Sequence, residues 1–145
     1  RQPSFKRILG FEYEVRNLPY ERFIQTDLTD PYMPSATKAM EDLVTHITTK
    51  YAGKKLGVFC SNDDIAGLFE RQCIKKGISI PETVELIGYD NSPGSNNAIL
   101  PITSVDQNIS LMAQIAIQSL DNYIPYESMV PAALIEKETT SRSPL

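Results

Sequence analysis

The sequence predicts an α/β protein in which a parallel sheet is flanked by helices, and three observations support this fold class. The first is residues 56–60, which are apolar or small without alternation, as is typical of a strand buried on both faces of a parallel sheet. The second is that a polar corner leads from this strand into a helix, with apolar residues at helical spacing from Ile65 to Cys73. The third is another strand candidate, residues 85–89, after that helix. Strand, helix and strand in this order are the rhythm of parallel βαβ units.

The segment before this strand is predicted to hold two helices and a short strand. Residues 3–16 carry apolar side chains near helical spacing, and residues 22–26 are a strand candidate followed by a polar corner at residues 27–34. Ser35 is predicted to cap the next helix, whose apolar residues recur at i, i+3, i+4 and i+7. Gly53 is expected to close this helix before the central strand.

The segment after the central strand continues the alternation of helices and strands. Gly77 has the position of a glycine that ends a helix. Residues 103–106 form a short extended piece, and Asn108 is predicted to cap a further amphipathic helix. Residues 133–137 are predicted to be the last strand, and residues 139–145 a frayed tail.

The composition limits the classes of function. The chain has 145 residues, 41% hydrophobic and 22% charged, which is typical of a soluble globular domain with a sizeable core. The net charge of −4 and the absence of a long basic run give the chain no electrostatic footprint for nucleic acid. No apolar stretch approaches the roughly 20 residues of a membrane span, so no membrane partner is expected.

The two cysteines and the single histidine indicate no metal or redox chemistry. Cys60 and Cys73 lack metal-ligand spacing, and a secreted disulfide scaffold would need more cysteines, so both are predicted to be small buried side chains. His46 is the single histidine of the chain and is predicted to have a structural or surface role. No motif pairs a nucleophile with a base, so the sequence predicts neither an enzyme nor a cofactor or metal site.

Polar corners follow the three predicted strands at one edge of the sheet. They are residues 27–34, then Asn62 with Asp63, then Asp90 with Asn91. Ligands of open parallel sheets bind beyond the carboxyl ends of the strands, and short polar side chains there offer donors and acceptors. The alternative is that these residues only cap helices and form turns, as Asn, Asp and Ser prefer. A divalent metal at these corners is disfavoured because a metal cage has a denser pattern of ligands.

Several segments occur together in the order and spacing of one known family. They are VFCSNDDIA from Val58, GISIPETVELIGYDN from Gly77 and LPITSVDQNI from Leu100, with RILGF from Arg7 upstream and ALIEKETT from Ala133 downstream. This combination resembles the LacI/GalR family of bacterial transcriptional regulators. The resemblance implies the C-terminal part of the family's effector-binding module, which has the fold of type I periplasmic sugar-binding proteins.

The resemblance also implies which residues contact the effector. The matching positions are Arg7, Asn62, Asp63, Asp90 and Gln107. In the family the arginine forks onto ligand hydroxyls or a carboxylate, and the aspartate after G-Y accepts from hydroxyls. Such a set suits a saccharide, because vicinal hydroxyls need donors and acceptors together. Tyr32 is a further candidate, as the apolar wall against a sugar ring, with Met33 as its alternative.

The resemblance divides the chain into three parts. Residues 1–102 correspond to the C-terminal subdomain of the sensor, and residues 103–131 to the crossover and helix that join the N-terminal subdomain. Residues 132–145 correspond to the returning strand and tail. Because the partner subdomain is missing, the helix from Asn108 is expected to pack its apolar face back on this domain or against a second copy.

The leading interpretation is the effector-sensing part of a cytoplasmic regulator, with a saccharide as the small-molecule effector. Its DNA contact would come only through a helix-turn-helix domain that is not present here. A homodimer is expected from the family, through residues 65–76 and 97–101, although a solvated surface is the alternative for those residues. The alternative function is a periplasmic sugar-binding protein of an ABC importer, and an enzyme ranks third.

Overall fold

The computed structural model describes residues 2–19, 30–121 and 129–141 and contains a mixed four-stranded sheet with helices. The helices are α1 (Gln2–Val15), α2 (Pro34–Lys50), α3 (Asp63–Lys75), α4 (Pro93–Asn96) and α5 (Ile109–Asp121). The strands are β1 (Leu56–Phe59), β2 (Val84–Tyr89), β3 (Thr103–Asp106) and β4 (Ala133–Ile135). The predicted strand at residues 22–26 lies outside the described residues.

The strands lie in the order β1-β2-β3-β4. β1, β2 and β3 are parallel neighbours, whereas β4 pairs antiparallel to β3. The predicted α/β fold class, a parallel sheet flanked by helices, is confirmed, and the antiparallel β4 makes the sheet mixed at this edge. An antiparallel edge strand on an otherwise parallel sheet is a common arrangement.

The main hydrophobic core lies between one face of the sheet and helices α2 and α3. In β2, Val84 and Leu86 are fully buried, while Glu85 and Ile87 on the opposite face are half-buried. The expectation that β1 is buried on both faces is wrong, because the face opposite the core is incompletely covered: Gly57 is exposed and Phe59 is half-buried. The largest fully buried apolar side chains are those of Phe69, Met40, Leu86, Ile102 and Val44.

Helix α2 begins differently from the prediction. Its N-cap is Met33 in extended backbone without a capping side chain, and Pro34 occupies the first turn. The predicted cap at Ser35 is therefore wrong, because proline is already suited to the first helical position by its fixed φ and missing N–H. The helix ends at Lys50, and Gly53 follows in a turn with a φ of 76°.

Both ends of α3 follow the local sequence signals. The side chain of Asn62 caps the helix, since its Oδ1 accepts the N–H of Ile65 at 2.9 Å. At the other end Gly77 has a φ of 69°, and the N–H of Ile78 donates to the carbonyl of Cys73 at 2.9 Å. This is the Schellman arrangement, in which a left-handed residue lets the chain satisfy the last helical carbonyls.

The cysteines and the histidine lie where the sequence predicts. Cys60 and Cys73 are free thiols in the core, and burial raises the pKa of each to about 12. Neutral thiols pack as small apolar groups, so the prediction of buried structural side chains is confirmed. His46 lies on the exposed surface of α2.

The predicted frayed tail is wrong at Thr139 and Thr140. Thr139 is fully buried; its Oγ1 donates to the carbonyl of Leu86 at 2.7 Å and accepts the N–H of Thr103 at 2.9 Å. Thr140 pairs its hydroxyl with that of Thr103 at 2.8 Å. These bonds join the segment after β4 to β2 and β3, a long-range pairing that local composition does not reveal.

Helix α5 leaves a large apolar surface exposed. Its exposed apolar side chains are Ile109 at 62%, Met112 at 46%, Ile117 at 61% and Leu120 at 76%. The expectation that this helix packs back on the domain is therefore wrong for the described residues, and its cover by a second copy stays a prediction.

Across the described parts of the chain, no helix is long and apolar enough to cross a membrane.

A buried glutamate on α3 anchors the loop between α4 and β3. Glu70 is fully buried; its Oε1 accepts the N–H of Leu100 at 2.6 Å and its Oε2 the N–H of Ile99 at 3.2 Å. Burial raises the pKa of Glu70, and the two backbone donors oppose that shift. We therefore interpret Glu70 as a structural anchor rather than a solvated surface charge.

Replacing Glu70 by alanine should reduce the free energy of unfolding by about 1–3 kcal/mol, because backbone donors lose a buried acceptor. Urea unfolding followed by circular dichroism measures this loss. Glu82→Ala is the matched control, since Glu82 is exposed; it should change stability by no more than about 0.5 kcal/mol. Equal losses in both variants would contradict the anchoring role.

Candidate functional site

The carboxyl ends of the three parallel strands bring polar groups from distant parts of the chain together. Ser61 follows β1, Asp90 follows β2 and Gln107 follows β3. Arg7, on α1, reaches across this edge and contacts the first two of these positions. The site therefore forms where open parallel sheets bind ligands.

Asp90 is the centre of a hydrogen-bonded group of side chains. The guanidinium of Arg7 donates to both of its oxygens, from Nη2 to Oδ1 at 2.9 Å and from Nη1 to Oδ2 at 3.4 Å. Gln107 Nε2 donates to Oδ1 at 2.6 Å. Arg7 Nη1 also donates to the carbonyl of Ser61 at 2.7 Å. Because the Arg7 and Asp90 side chains are 15% and 32% exposed, this charge pair is only partly screened by solvent.

Aromatic rings lie beside the Arg7–Asp90 pair. The guanidinium of Arg7 lies 3.9 Å from the ring centroid of Tyr89, and Phe59 meets Tyr89 edge to face at 6.4 Å. Phe11 stacks on Phe59 at 5.3 Å between centroids. The rings therefore form one continuous apolar wall next to charged hydrogen-bonding groups.

An open cavity of about 550 Å³ lies against this wall. It is lined by Lys6, Arg7, Gly10, Phe11, Glu14, Phe59, Tyr89 and Gln107. Its volume is within the range of small-molecule pockets. Its lining, which combines apolar walls with a few polar groups, is also typical of such pockets. The lining carries two cationic and one anionic side chain, and Asp90 beside it adds a second negative charge. This balance of charge suits a neutral polar ligand.

The structure brings three of the residues singled out from the sequence into direct contact: Arg7, Asp90 and Gln107. Asn62 is half-buried, and its side-chain oxygen is used in capping α3. Tyr32 is 78% exposed and does not line the cavity; a hydrogen bond to the Asp64 carboxylate raises its pKa. Ligand contact by each of these residues stays a prediction.

Asp63 takes an unexpected place. It is 4% exposed and lies beneath the corner after β2, so its carboxylate is directed into the protein rather than into the cavity. Its Oδ2 accepts the N–H of Ser92 at 2.7 Å, and its Oδ1 accepts the hydroxyl of Ser104 at 2.6 Å. Both carboxylate oxygens are thus engaged by groups of the protein.

The aromatic wall is absent from the sequence prediction, which proposes Tyr32 or Met33 for that role. A signal was available, because Phe59 and Tyr89 are the last residues of two strands that run into the polar corners.

Within residues 2–19, 30–121 and 129–141, no group of three or more His, Cys, Asp or Glu side chains could hold a metal ion.

Comparison with known proteins places the chain in a family. Residues 1–140 match the periplasmic binding protein-like domain family, and the chain belongs to this family. The ribose operon repressor of Halalkalibacterium halodurans is 29% identical over 149 residues, which cover 97% of this chain and 40% of the repressor. The predicted resemblance to LacI/GalR regulators is thereby confirmed, and the chain spans well under half the length of this curated relative.

Solved structures of LacI-type regulators share the fold. The lac repressor dimer bound to operator and an anti-inducer has a TM-score of 0.72 at 16% identity, covering 92% of this chain and 46% of that one. A LacI-family regulator of Lactobacillus casei with bound sucrose has a TM-score of 0.69 at 16% identity, covering 93% of this chain and 50% of that one. At this level of identity the likeness concerns the fold alone.

Proposed function

We propose that this chain is the effector-sensing part of a bacterial transcriptional regulator and that the effector is a saccharide. The observation that carries the proposal is the group Arg7, Asp90 and Gln107 beside the wall formed by Phe59 and Tyr89. A sugar ring has an apolar face for such a wall and hydroxyls for such a group. The names of the relatives, which are those of repressors, favour a regulator over an importer's binding protein.

In the structure these polar groups satisfy one another, so a ligand would replace part of their mutual bonds. Asp90 can accept from two vicinal hydroxyls, while Arg7 and Gln107 can donate to hydroxyl or ring oxygens. A neutral polyol supplies both kinds of group at once. A ligand with acceptors only would satisfy Arg7 but would give the carboxylate of Asp90 no donor in place of the guanidinium.

Regulation requires a second conformation. We place residues 1–102 in one subdomain, with residues 103–131 crossing to a partner subdomain and residues 132–145 returning. The effector would bind in the cleft between the subdomains and shift the equilibrium toward closure, by as much as its affinity differs between the two states. Closure would then act on a helix-turn-helix domain outside this chain, in a cytoplasmic protein.

A homodimer completes the proposal. On the surface formed by α3 and residues 97–101, Ile74 is 38% and Ile99 is 61% exposed. The lac repressor structure, which shares the fold, is that of a dimer. Apolar side chains at this surface are suited to a two-fold interface, in which the same patch meets itself.

Charging this surface should separate the dimer. Ile99→Lys is expected to shift the intact regulator from dimer to monomer, because burying an unpaired lysine in an interface is unfavourable. Thr45→Lys, at an exposed site on α2, is the control and should leave the mass unchanged. Analytical ultracentrifugation gives both masses, and a persistent Ile99→Lys dimer would refute this interface.

The ligand proposal is tested by calorimetric titration of the intact polypeptide that contains this chain. The panel holds D-ribose, glucose, sucrose and cellobiose, with adenine and hypoxanthine as planar rings that could stack on the same aromatic wall. Saturable binding of a saccharide supports the proposal. Binding of a nucleobase but of no saccharide would refute the proposal that the effector is a saccharide. It would leave the location of the pocket unchallenged.

A further inference from the structure

We propose that Asp63 is a positioning residue that holds Asp90 in place for ligand binding. Asp63 lies beneath the corner after β2 and is bonded to Ser92 and Ser104, whereas Asp90 lies beside the cavity and is bonded to its lining residues Arg7 and Gln107. The link to ligand binding rests on the proposed function. The positioning itself rests on contacts within the protein and can be tested without a ligand.

The corner that carries Asp90 has an unfavourable backbone conformation. Asp90 has a φ of 101° and Asn91 a φ of 47°, values at which residues with a side chain are uncommon. Such residues persist only where the surrounding structure fixes them. The direction of the Asp90 carboxylate therefore depends on what holds the next backbone groups.

The backbone N–H groups of Asn91 and Ser92 are both hydrogen-bonded to Asp63, the first through Ser104 and the second directly. The N–H of Ser92 donates directly to its Oδ2 at 2.7 Å. The N–H of Asn91 donates to Ser104 Oγ at 3.0 Å, and that hydroxyl donates to Oδ1 of Asp63 at 2.6 Å. One buried carboxylate thus fixes two successive peptide groups, and hydrogen bonds to a charged acceptor are the stronger kind.

The position of Asp63 is itself built into the fold. It is the first residue of α3, where the helix dipole favours a negative charge. It also lies against Gly88 of β2, where a Cβ atom would overlap its Oδ1. Gly88 therefore provides the space that the carboxylate occupies, although Gly88 itself does not line the cavity.

Lys137 supports the same corner through a second set of contacts. Its Nζ donates to Asn91 Oδ1 at 2.8 Å and to Ser95 Oγ at 2.9 Å. Burial lowers the pKa of Lys137, and the negative charges of Asp63 and Asp106 oppose that shift. The ammonium also offsets part of the negative charge buried beneath the corner. The side chain of Asn91 is thereby fixed, and both Asp63 and Lys137 hold the corner.

Fixing this corner also determines the contacts of Asp90 with Arg7 and Gln107, neither of which is hydrogen-bonded to Asp63. With the two peptide groups fixed, Asp90 directs its carboxylate to Arg7 and Gln107, which donate at 2.9 Å and 2.6 Å. Release of the corner would let the φ of Asp90 relax and would move the carboxylate away from both donors. The side-chain amide of Gln107 is therefore a distant reporter of the position of Asp90.

The experiment compares ¹H–¹⁵N spectra of this chain and three variants without any ligand. Asp63→Asn removes the charge, and Gly88→Ala displaces the same carboxylate from a different strand. Asp64→Asn is the matched control, because Asp64 is the next residue of the same helix and is exposed. The side-chain amide signals of Gln107 are identified by their loss in Gln107→Met.

The proposal predicts that Asp63→Asn and Gly88→Ala shift the Gln107 side-chain signals in the same direction, while Asp64→Asn leaves them in place. Core signals of α2 should stay unchanged in all three variants. Unchanged Gln107 signals in folded Asp63→Asn or Gly88→Ala would overturn the proposal. Loss of the whole folded spectrum in both variants would overturn it too, because Asp63 would then support the entire fold rather than one corner.

Discussion

Replacing Arg7 by alanine is expected to weaken saccharide binding by the intact protein by about 2–5 kcal/mol, the range for removing one partner of a charged pair that a bound ligand would bury. The reason is twofold. The ligand loses the fork donor, and Asp90 loses the cation that donates to both of its oxygens. Isothermal titration with the saccharide identified from the panel measures this change in affinity.

Arg16→Ala is the matched control for this prediction. It deletes the same side chain just beyond the end of α1, where the guanidinium lies over Tyr13 and does not line the cavity. Its affinity should stay within about twofold of the parent protein, corresponding to less than about 0.5 kcal/mol. If Arg7→Ala bound the saccharide as tightly as Arg16→Ala, Arg7 would be excluded from the site.

The largest expected loss of stability is that of Phe69→Ala. Phe69 is 1% exposed and belongs to the core between α2, α3 and the sheet. Deleting a buried phenylalanine removes its transfer free energy and leaves a cavity, so the free energy of unfolding should fall by about 3–5 kcal/mol. That is a large part of the roughly 5–15 kcal/mol that stabilises a typical domain, and urea unfolding by circular dichroism detects it readily.

Phe5→Ala serves as the comparison for the core prediction. The Phe5 side chain on α1 is 60% exposed, so its removal should change stability by no more than about 0.5 kcal/mol. Similar midpoint shifts for the two variants would mean that the core does not lie where α2 and α3 cover the sheet. A shift confined to Phe69→Ala is the expected result.

Features set by neighbouring residues could be predicted from the sequence. Asn62 caps α3 and Gly77 ends it because both roles depend on backbone groups within a few residues. The direction of β4 and the burial of Thr139 could not be predicted in this way. Both depend on pairing with β2 and β3, far away along the chain.

In the candidate site, too, some residues could be identified from the sequence and others could not. Arg7, Asp90 and Gln107 were accessible through the resemblance, since each belongs to a short motif of the family. Phe59 and Tyr89 were missed although both end strands that run into polar corners, because an aromatic residue at the end of a strand is just as typical of a core. The inward position of Asp63 depends on Ser104 Oγ and on the space above Gly88, and no local pattern encodes either contact.

The most direct test is a crystal structure of the intact polypeptide with the saccharide that binds most tightly in the panel. We expect saccharide oxygens within hydrogen-bond distance of Arg7, Asp90 and Gln107, with the sugar ring against Phe59 and Tyr89. The direct bonds between Arg7 and Asp90 should then be partly replaced by bonds to the ligand. A saccharide bound elsewhere, with the Arg7–Asp90 pair intact and the cavity free of ligand, would contradict the proposed site.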